Sequence, residues 1–277
     1  MFHRPGVITI GAMEDRDDLR AHLEIERPLA DRLRNAATQD ERRALYGPVY
    51  SDYRAQIAGH PSIERRDAQR SSVPMQAALV RPLLRASSTF VELGAGEGAL
   101  AAELAPEVAR AIALDVTDAI AVSGPPGYEF RVIDGIDLGL VPGSVDLVFS
   151  NDVVEHLHRD DAVDQMRAVG AALRPGGRYL CVTPNRLSGP HDVSGAFGDT
   201  PQGFHLCEYT VTELRRALRQ AGFRRVQIFL SRGGRHLTPL LPAGLIAPLE
   251  AVLGALPRAV RRRPAAALAA VKVIATW

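Results

Sequence analysis

Asp152-Val153-Val154-Glu155-His156 sets two carboxylates and an imidazole at positions i, i+3 and i+4. If a helix begins by Asp152, the three side chains share one face. Hard oxygen donors joined by one imidazole suit Mg²⁺ or Mn²⁺ better than a thiol-rich zinc site would. A second chemical stretch runs from Thr183-Pro184-Asn185 through Gly203-Phe204-His205-Leu206-Cys207-Glu208-Tyr209-Thr210. It inserts roughly twenty residues between a strand and a helix, a length that inside a compact domain marks a lid or a binding loop. His191-Asp192, within that loop, is a further pair able to move a proton, set against the plainer reading of a solvated histidine in a turn.

Phe90 to Leu100, FVELGAGEGAL, reads as a strand running into a glycine-rich turn and then a helix. Gly94, Gly96 and Gly98 would let a cofactor approach the backbone closely. Gly94-x-Gly96-x-x-Ala99 also satisfies the looser dinucleotide fingerprint, so the neighbouring charges must choose. Glu92 lies two residues before the first glycine, Asp115 ends the next strand and Asp134 the one after. A dinucleotide would bring two phosphates to this edge. S-adenosylmethionine brings a cationic sulfonium, an ammonium, a ribose and an adenine, which acidic groups suit. Asp115, 21 residues after Gly94, is placed to accept both ribose hydroxyls, a geometry common to both cofactors.

The elements that must position these groups follow from the apolar pattern. Residues 1–85 read as a helical cap, with a capping box at Thr38-x-x-Glu41 and Leu29, Leu33 and Ala36 on one helix face. Tyr46, Tyr50 and Tyr53 either pack this cap on the main domain or form the aromatic wall of a substrate pocket. Gly47-Pro48 argues against a continuous helix through them. Apolar runs at Thr89 to Leu93, Ala111 to Leu114, Phe130 to Ile133, Val145 to Ser150, Tyr179 to Thr183 and Val226 to Leu230 then alternate with helix-like segments at Ala99 to Ala109, Val153 to Leu173 and Thr212 to Ala221, the last with its own Thr210-x-x-Glu213 box. That alternation calls for a parallel sheet covered on both faces, within a domain spanning 86–277.

With 277 residues, 46% hydrophobic and 23% charged, the chain is a globular protein of one large or two small domains, which excludes disorder, collagen and a disulfide scaffold. A net charge of +1 supplies no long-range field for nucleic acid or an anionic membrane, so only local basic clusters count. Cys181 and Cys207 build no framework and no metal pattern, which fits a reducing compartment. The opening MFHRPGVITIGAMEDRDD has too short an apolar stretch for a signal peptide. A cytoplasmic protein is expected.

Residues 89–230 resemble a class I S-adenosylmethionine-dependent methyltransferase. The resemblance rests on VELGAGEG at 91–98, ALD at 113–115, VIDG at 132–135, VDLVFSNDVVEHL at 145–157, LRPGGRYLCVTPN at 173–185 and ELRRALRQAGF at 213–223. It implies a doubly wound, Rossmann-like α/β fold of seven strands with the last antiparallel, here Val271 to Thr276. It also implies S-adenosyl-L-methionine as cofactor, with Asp134 and Gly135 near the adenine and Asn151 near the methionine portion. The acidic-x-x-Glu-His segment and the later His205 resemble two O-methyltransferase groups: the quinone-pathway enzymes and the small-RNA terminal 2′-O-methyltransferases. Carried over, Asp152, Glu155, His156 and His205 would be metal ligands, for Mg or Mn. This chain departs from both groups in having Asp152 for the first Glu and its own PHDVSGAFGDTPQGF. Metal coordination, a metal-free site with His205 or His156 as general base, and purely structural roles therefore all stay open.

Residues 232–268 form an insertion before the last strand. Leu237 to Leu256 is uncharged except for Glu250, and Arg258, Arg261, Arg262 and Arg263 follow. Pro239, Pro242, Pro248 and Glu250 argue against a membrane span. The segment either packs on the core, lies on a membrane surface or covers a pocket for a greasy substrate. The expected activity is methylation of an oxygen on a small or lipophilic hydroxylated molecule. N- or C-methylation, RNA ribose methylation and cofactor binding without catalysis are the alternatives.

Overall fold

In the computed structural model, residues 16–58, 73–265 and 270–277 are described. The apolar N-terminal stretch lies outside them up to residue 15, as do residues 266–269 of the C-terminal insertion. β1 (Thr89–Leu93), β2 (Arg110–Asp115), β3 (Tyr128–Val132), β4 (Val145–Asn151) and β5 (Leu173–Pro184) run parallel, and each expected apolar run lies on or overlaps its strand. Beyond them come β6 (Arg225–Ile228), a small hairpin of β7 (Ser231–Arg232) and β8 (Arg235–His236), and β9 (Leu241–Pro242). The final strand, β10 (Ala270–Thr276), inserts antiparallel between β5 and β6. The order β3-β2-β1-β4-β5-β10-β6-β9 has eight strands rather than the expected seven, because the two-residue β9 adds to the edge of β6.

Both faces of the sheet are apolar, as parallel strands require. Phe90, Leu147, Phe149 and Leu180 point to one side, toward α3 (Val73–Val80) and α4 (Ala99–Leu104). Val91, Leu93, Val148, Tyr179 and Cys181 point to the other, where α2 (Gln39–Ile57), α5 (Arg159–Ala172) and α6 (Val211–Ala221) cover them and α1 (Arg16–Asn35) packs on α2. Both capping boxes form, with Glu41 N–H donating to Thr38 Oγ1 and Glu213 N–H to Thr210 Oγ1, each at 3.2 Å. None of the described helices is long and apolar enough to cross a membrane.

Two local expectations are corrected. Gly47 and Pro48 do not break α2, which continues to Ile57. Pro48 forfeits one helical hydrogen bond, but Tyr46 and Val49 on either side of the pair are fully buried, and the helix is held to α5 by Arg42 and Tyr46. The Arg42 guanidinium donates to both Asp161 oxygens at 2.6 Å, and the Tyr46 hydroxyl donates to Asp161 Oδ2 at 2.8 Å. Gly47 lies so near the Val116 carbonyl that a Cβ would come within 2.9 Å of it. The second correction concerns the helix expected from Val153, which begins at Arg159. Asp152 adopts a φ of +56°, a left-handed turn that stops helical propagation, and only a 3-10 turn, Val154–His156, follows.

The apolar insertion packs on the core through its one acid. α7 (Ala247–Ala255) presents the buried Glu250 to the start of α6, where Oε1 accepts from Val211 N–H at 2.7 Å and Oε2 from Thr212 N–H at 2.8 Å. These N–H groups lack intrahelical acceptors and sit at the positive end of the helix dipole. α8 (Arg258–Ala265) follows. Glu250→Ala is expected to lower stability by about 2–4 kcal/mol, since two bonds to a charged acceptor are lost, whereas Glu250→Gln loses about half as much. Urea unfolding of the three proteins checks this.

Candidate functional site

The glycine turn is stitched to the strand beside it. Gly94 and Ala95 donate to the Leu114 carbonyl at 2.8 and 3.0 Å, and Gly96 N–H donates to Asp115 Oδ2 at 2.7 Å. Gly94, Gly96 and Gly98 all have positive φ, the left-handed region that side chains resist. Asp115 Oδ1 also accepts from Val116 and Thr117 N–H at 2.7 and 3.3 Å. A carboxylate offers about four acceptor positions, so the loop already uses most of this one, leaving room on Oδ2. The spacing in the sequence assigned both oxygens to the ribose; here both also accept from backbone, Oδ1 twice and Oδ2 once. Burial raises the Asp115 pKa, and the three backbone bonds oppose that rise.

Glu92 lies beneath the loop and is 7% exposed. Its Oε2 accepts from Ala101 N–H at 2.9 Å, capping α4 in place of Gly98, which has no side chain to do so. Burial pushes the carboxyl up to about 8, against the pull of that hydrogen bond. Asp134 is paired with Arg43 of α2, and its Oδ1 accepts from Ile136 and Asp137 N–H at 2.9 and 2.8 Å. Burial raises its pKa, but these hydrogen bonds outweigh burial and leave it below the ordinary value. Gly135, with φ +89°, packs under Tyr46. Asn151, at the end of β4, donates to Asp152 Oδ2 at 2.7 Å.

The turn after β4 abuts the glycine loop, since a side chain at Gly94 would collide with Val153. Glu155, His156 and His205 each bring a ligand atom within 4.8 Å of the others. Asp152, exposed in its left-handed turn, is outside this group among the described residues. The structure therefore unites three of the four residues carried over as ligands, and does so through a tight turn rather than a helix face. Glu155 is fully buried: Oε2 accepts from Thr183 Oγ1 at 2.8 Å, while Oε1 has no hydrogen-bond partner among the described residues. Burial and the Asp152 charge raise its pKa, and His205 opposes them. For His205, burial works against the proton, but the Glu208 hydrogen bond and the Glu155 charge prevail and raise its pKa. An orphaned buried carboxylate oxygen beside two imidazoles is a donor set that could hold a divalent cation. With one carboxylate instead of two, it leans toward Mn²⁺ or Zn²⁺ rather than Mg²⁺.

Sequence reasoning missed the groups that hold His205 in place. Glu208 Oε1 accepts from His205 Nδ1 at 2.8 Å and from His191 N–H at 2.6 Å. Glu208 sits three residues from His205, a short-range spacing that was available in the sequence. Phe204 stacks on Tyr50, ring centroids 5.0 Å apart, and meets Tyr53 edge-on at 5.1 Å. Tyr50 and Tyr53 thus face the lid, whereas Tyr46 belongs to the core. Phe204 N–H reaches Glu26 Oε2 at 3.3 Å, and His22 Nε2 lies 2.9 Å from both Glu26 Oε1 and the Tyr53 hydroxyl. His191 is not a solvated loop histidine: its Nε2 lies 2.9 Å from Ser188 Oγ and 3.0 Å from the Asn185 carbonyl. Asp192 Oδ2 accepts from Gly203 N–H at 2.7 Å, so this pair staples the loop.

A family model described as a methyltransferase domain matches residues 64–228, more than half of the chain. The chain belongs to this methyltransferase family. The chain is 34% identical over 142 residues to a Mycolicibacterium smegmatis protein named as a probable S-adenosylmethionine-dependent methyltransferase, a match covering 50% of this chain and 52% of that one. It is 34% identical over 154 residues to a ubiquinone biosynthesis O-methyltransferase of a Methylobacterium species, covering 50% of this chain and 60% of that protein. The matched part is thus about half the length of these relatives. Among solved structures, a chain from the complex of the Haloferax volcanii Trm112 methyltransferase activator with a methyltransferase aligns with a TM-score of 0.55 at 19% identity, over 80% of this chain and 96% of that chain. The chain has the class I methyltransferase fold, with β10 as its antiparallel last strand.

The two acids of the loop differ in what their removal does. Glu92 is neutral in the folded protein up to about pH 8 but ionises near its ordinary value when unfolded, so its contribution to stability falls as pH rises between those values. Glu92→Gln keeps an acceptor for Ala101 and is expected to match wild type near pH 5 and to exceed it in stability by pH 8 to 9, as urea unfolding of both proteins across that range would show. Asp115→Ala is expected to weaken S-adenosylhomocysteine binding about tenfold or more in calorimetric titration, since a charged hydrogen-bond acceptor of both loop and ligand is lost. Unchanged affinity would remove Asp115 from the cofactor site.

Proposed function

We propose that the protein transfers the methyl group of S-adenosylmethionine to a hydroxyl oxygen of a small or lipophilic molecule. The observation that carries this is the Glu155–His156–His205 group, with Glu155 and His205 buried, set where β4 and β5 end and against the glycine loop. Methyl transfer asks the protein chiefly to align nucleophile, methyl carbon and sulfur, and to exclude water. A hydroxyl nucleophile must also lose its proton. The carbon–sulfur bond breaks with its electron pair going to sulfur, the oxygen–methyl bond forms, and the hydroxyl proton passes to the group.

Within that group, the roles divide by geometry. Glu155 Oε1, buried and without a partner, is the atom open to a proton, and a carboxyl whose pKa burial raises accepts one near neutral pH. His205 lies beside it as the partner charge, oriented by Glu208. Tyr50, Tyr53 and Phe204 supply aromatic surface for an apolar acceptor and close the site to water. Glu155, His156 and His205 would also be the holders of a divalent cation, whose chemistry would be to lower the pKa of an acceptor hydroxyl. The similarity to a ubiquinone biosynthesis O-methyltransferase supports oxygen as the acceptor atom.

Transfer of labelled methyl groups to a panel of phenols, catechols and amines tests the reading. Phenolic or catecholic oxygen is expected to be methylated, and His205→Ala to reduce kcat by about 10²-fold or more while cofactor affinity stays within about twofold. Turnover restricted to amines, or equal turnover by His205→Ala, would refute it. Titrating Mn²⁺, Zn²⁺ and Mg²⁺ into chelator-treated protein saturated with S-adenosylhomocysteine separates the two modes. One-site binding lost in His205→Ala marks a metal site, and no binding marks proton transfer to the side chains alone.

A further inference from the structure

The net charge of +1 hides a polarity along the chain. Residues 214–277 carry eleven arginines and one lysine against a single acid, Glu250, while the first 213 residues carry 21 basic and 31 acidic residues. Glu250 offers solvent almost nothing, because its carboxylate is buried against the first turn of α6. Such an imbalance within one chain points to an anionic surface as partner.

The same segment breaks the amphipathic rule for surface helices. Ala243, Glu250 and Leu253 face inward, yet the outward face carries Leu245, Leu249 and Val252, exposed by 66%, 46% and 62%. Leu245 sits in the 3-10 turn Ala243–Ile246 that leads into α7. The three recur at i, i+4 and i+7, a single helical stripe. Arginines flank it. The exposed Arg215 of α6 lies against Gly244, next to Leu245, and Arg261 of α8 reaches the Gly254 carbonyl at 3.5 Å. Single exposed apolar residues are ordinary, but an aliphatic stripe rimmed by cations is the pattern of a helix lying in a membrane interface. The large hydrophobic residues exposed among those described are all valine or leucine. Single-stranded nucleic acid would instead be met by aromatic stacking.

We propose that this face docks on an anionic phospholipid bilayer. Leu245, Leu249 and Val252 enter the acyl boundary, and Arg215 and Arg261 meet the headgroups. The docked face backs onto the lid: Leu253 packs with Leu187, and Arg258 pairs with Asp199 and donates to the Gly198 carbonyl at 3.2 Å. A lipophilic acceptor could then reach the lid from the bilayer, a clause that rests on the function proposed above; the docking itself does not.

Flotation of the full chain tests it, with vesicles of phosphatidylcholine alone and of phosphatidylcholine mixed with phosphatidylglycerol. Binding is expected to the mixed vesicles, to weaken with salt, and to be absent on neutral ones. Leu249→Ser with Val252→Ser should lower partition by about tenfold or more. Arg215→Gln with Arg261→Gln should lower it roughly fivefold per charge removed. Unfolding midpoints near wild type show that the variants are folded. No flotation with either vesicle, or flotation untouched by the Leu249/Val252 variant, would overturn the proposal. So would retention of a single-stranded RNA oligonucleotide that the arginine variant loses and the apolar variant keeps. The readout is partition rather than methyl transfer, so a failed substrate search leaves it standing.

Discussion

Two parts of the lid meet at the buried carboxylate of Glu208, which takes the ring of His205 and the backbone N–H of His191 on one oxygen. Its other oxygen fills the space beside Gly189, where a Cβ would come within 2.1 Å. A buried carboxylate with such partners cannot be displaced without stranding its charge. The loop between β5 and α6 therefore closes in one way, and that closure carries His205 to Glu155. Without it the β4 turn would present a buried carboxyl and one imidazole, with no second imidazole beside them.

The lid is gripped from two sides by segments distant in sequence. Arg34 of α1 donates to the carbonyls of Gln202 and Gly203, and Glu26 takes Phe204 N–H. From the other side, Leu253 packs against Leu187, and Arg258 holds Gly198 and Asp199. The N-terminal helices and the C-terminal insertion thus act on the same loop. This makes them parts of the site rather than decoration on a finished fold.

The sheet was legible because buried parallel strands are short, apolar and separated by helices, and because Thr38, Glu41, Thr210 and Glu213 announce helix starts locally. The glycine turn was legible for a similar reason, since its glycines and Asp115 lie close together in the sequence around one strand–turn–helix unit. The start of α5 was not. Asp152 turns with a positive φ just where the chain after β4 meets the glycine loop at Val153, a contact across the fold that periodicity does not record. The continuity of α2 through Pro48 was hidden likewise, because burial of Tyr46 and Val49 outweighs a local penalty. Asp134 and Glu92 were read by charge alone, while their partners, Arg43 and the Ala101 N–H, became visible only with the chain folded.

The approach of Gly47 to the Val116 carbonyl sets the clearance between α2 and the strand that ends in Asp115. Tyr50, less than one turn further along the same helix, stacks on Phe204. The distance from the end of β2 to that stacked pair is therefore fixed by a glycine hydrogen. A single methyl group there would wedge the helix outward, and the ring of Tyr50 would be carried away from the strand with it.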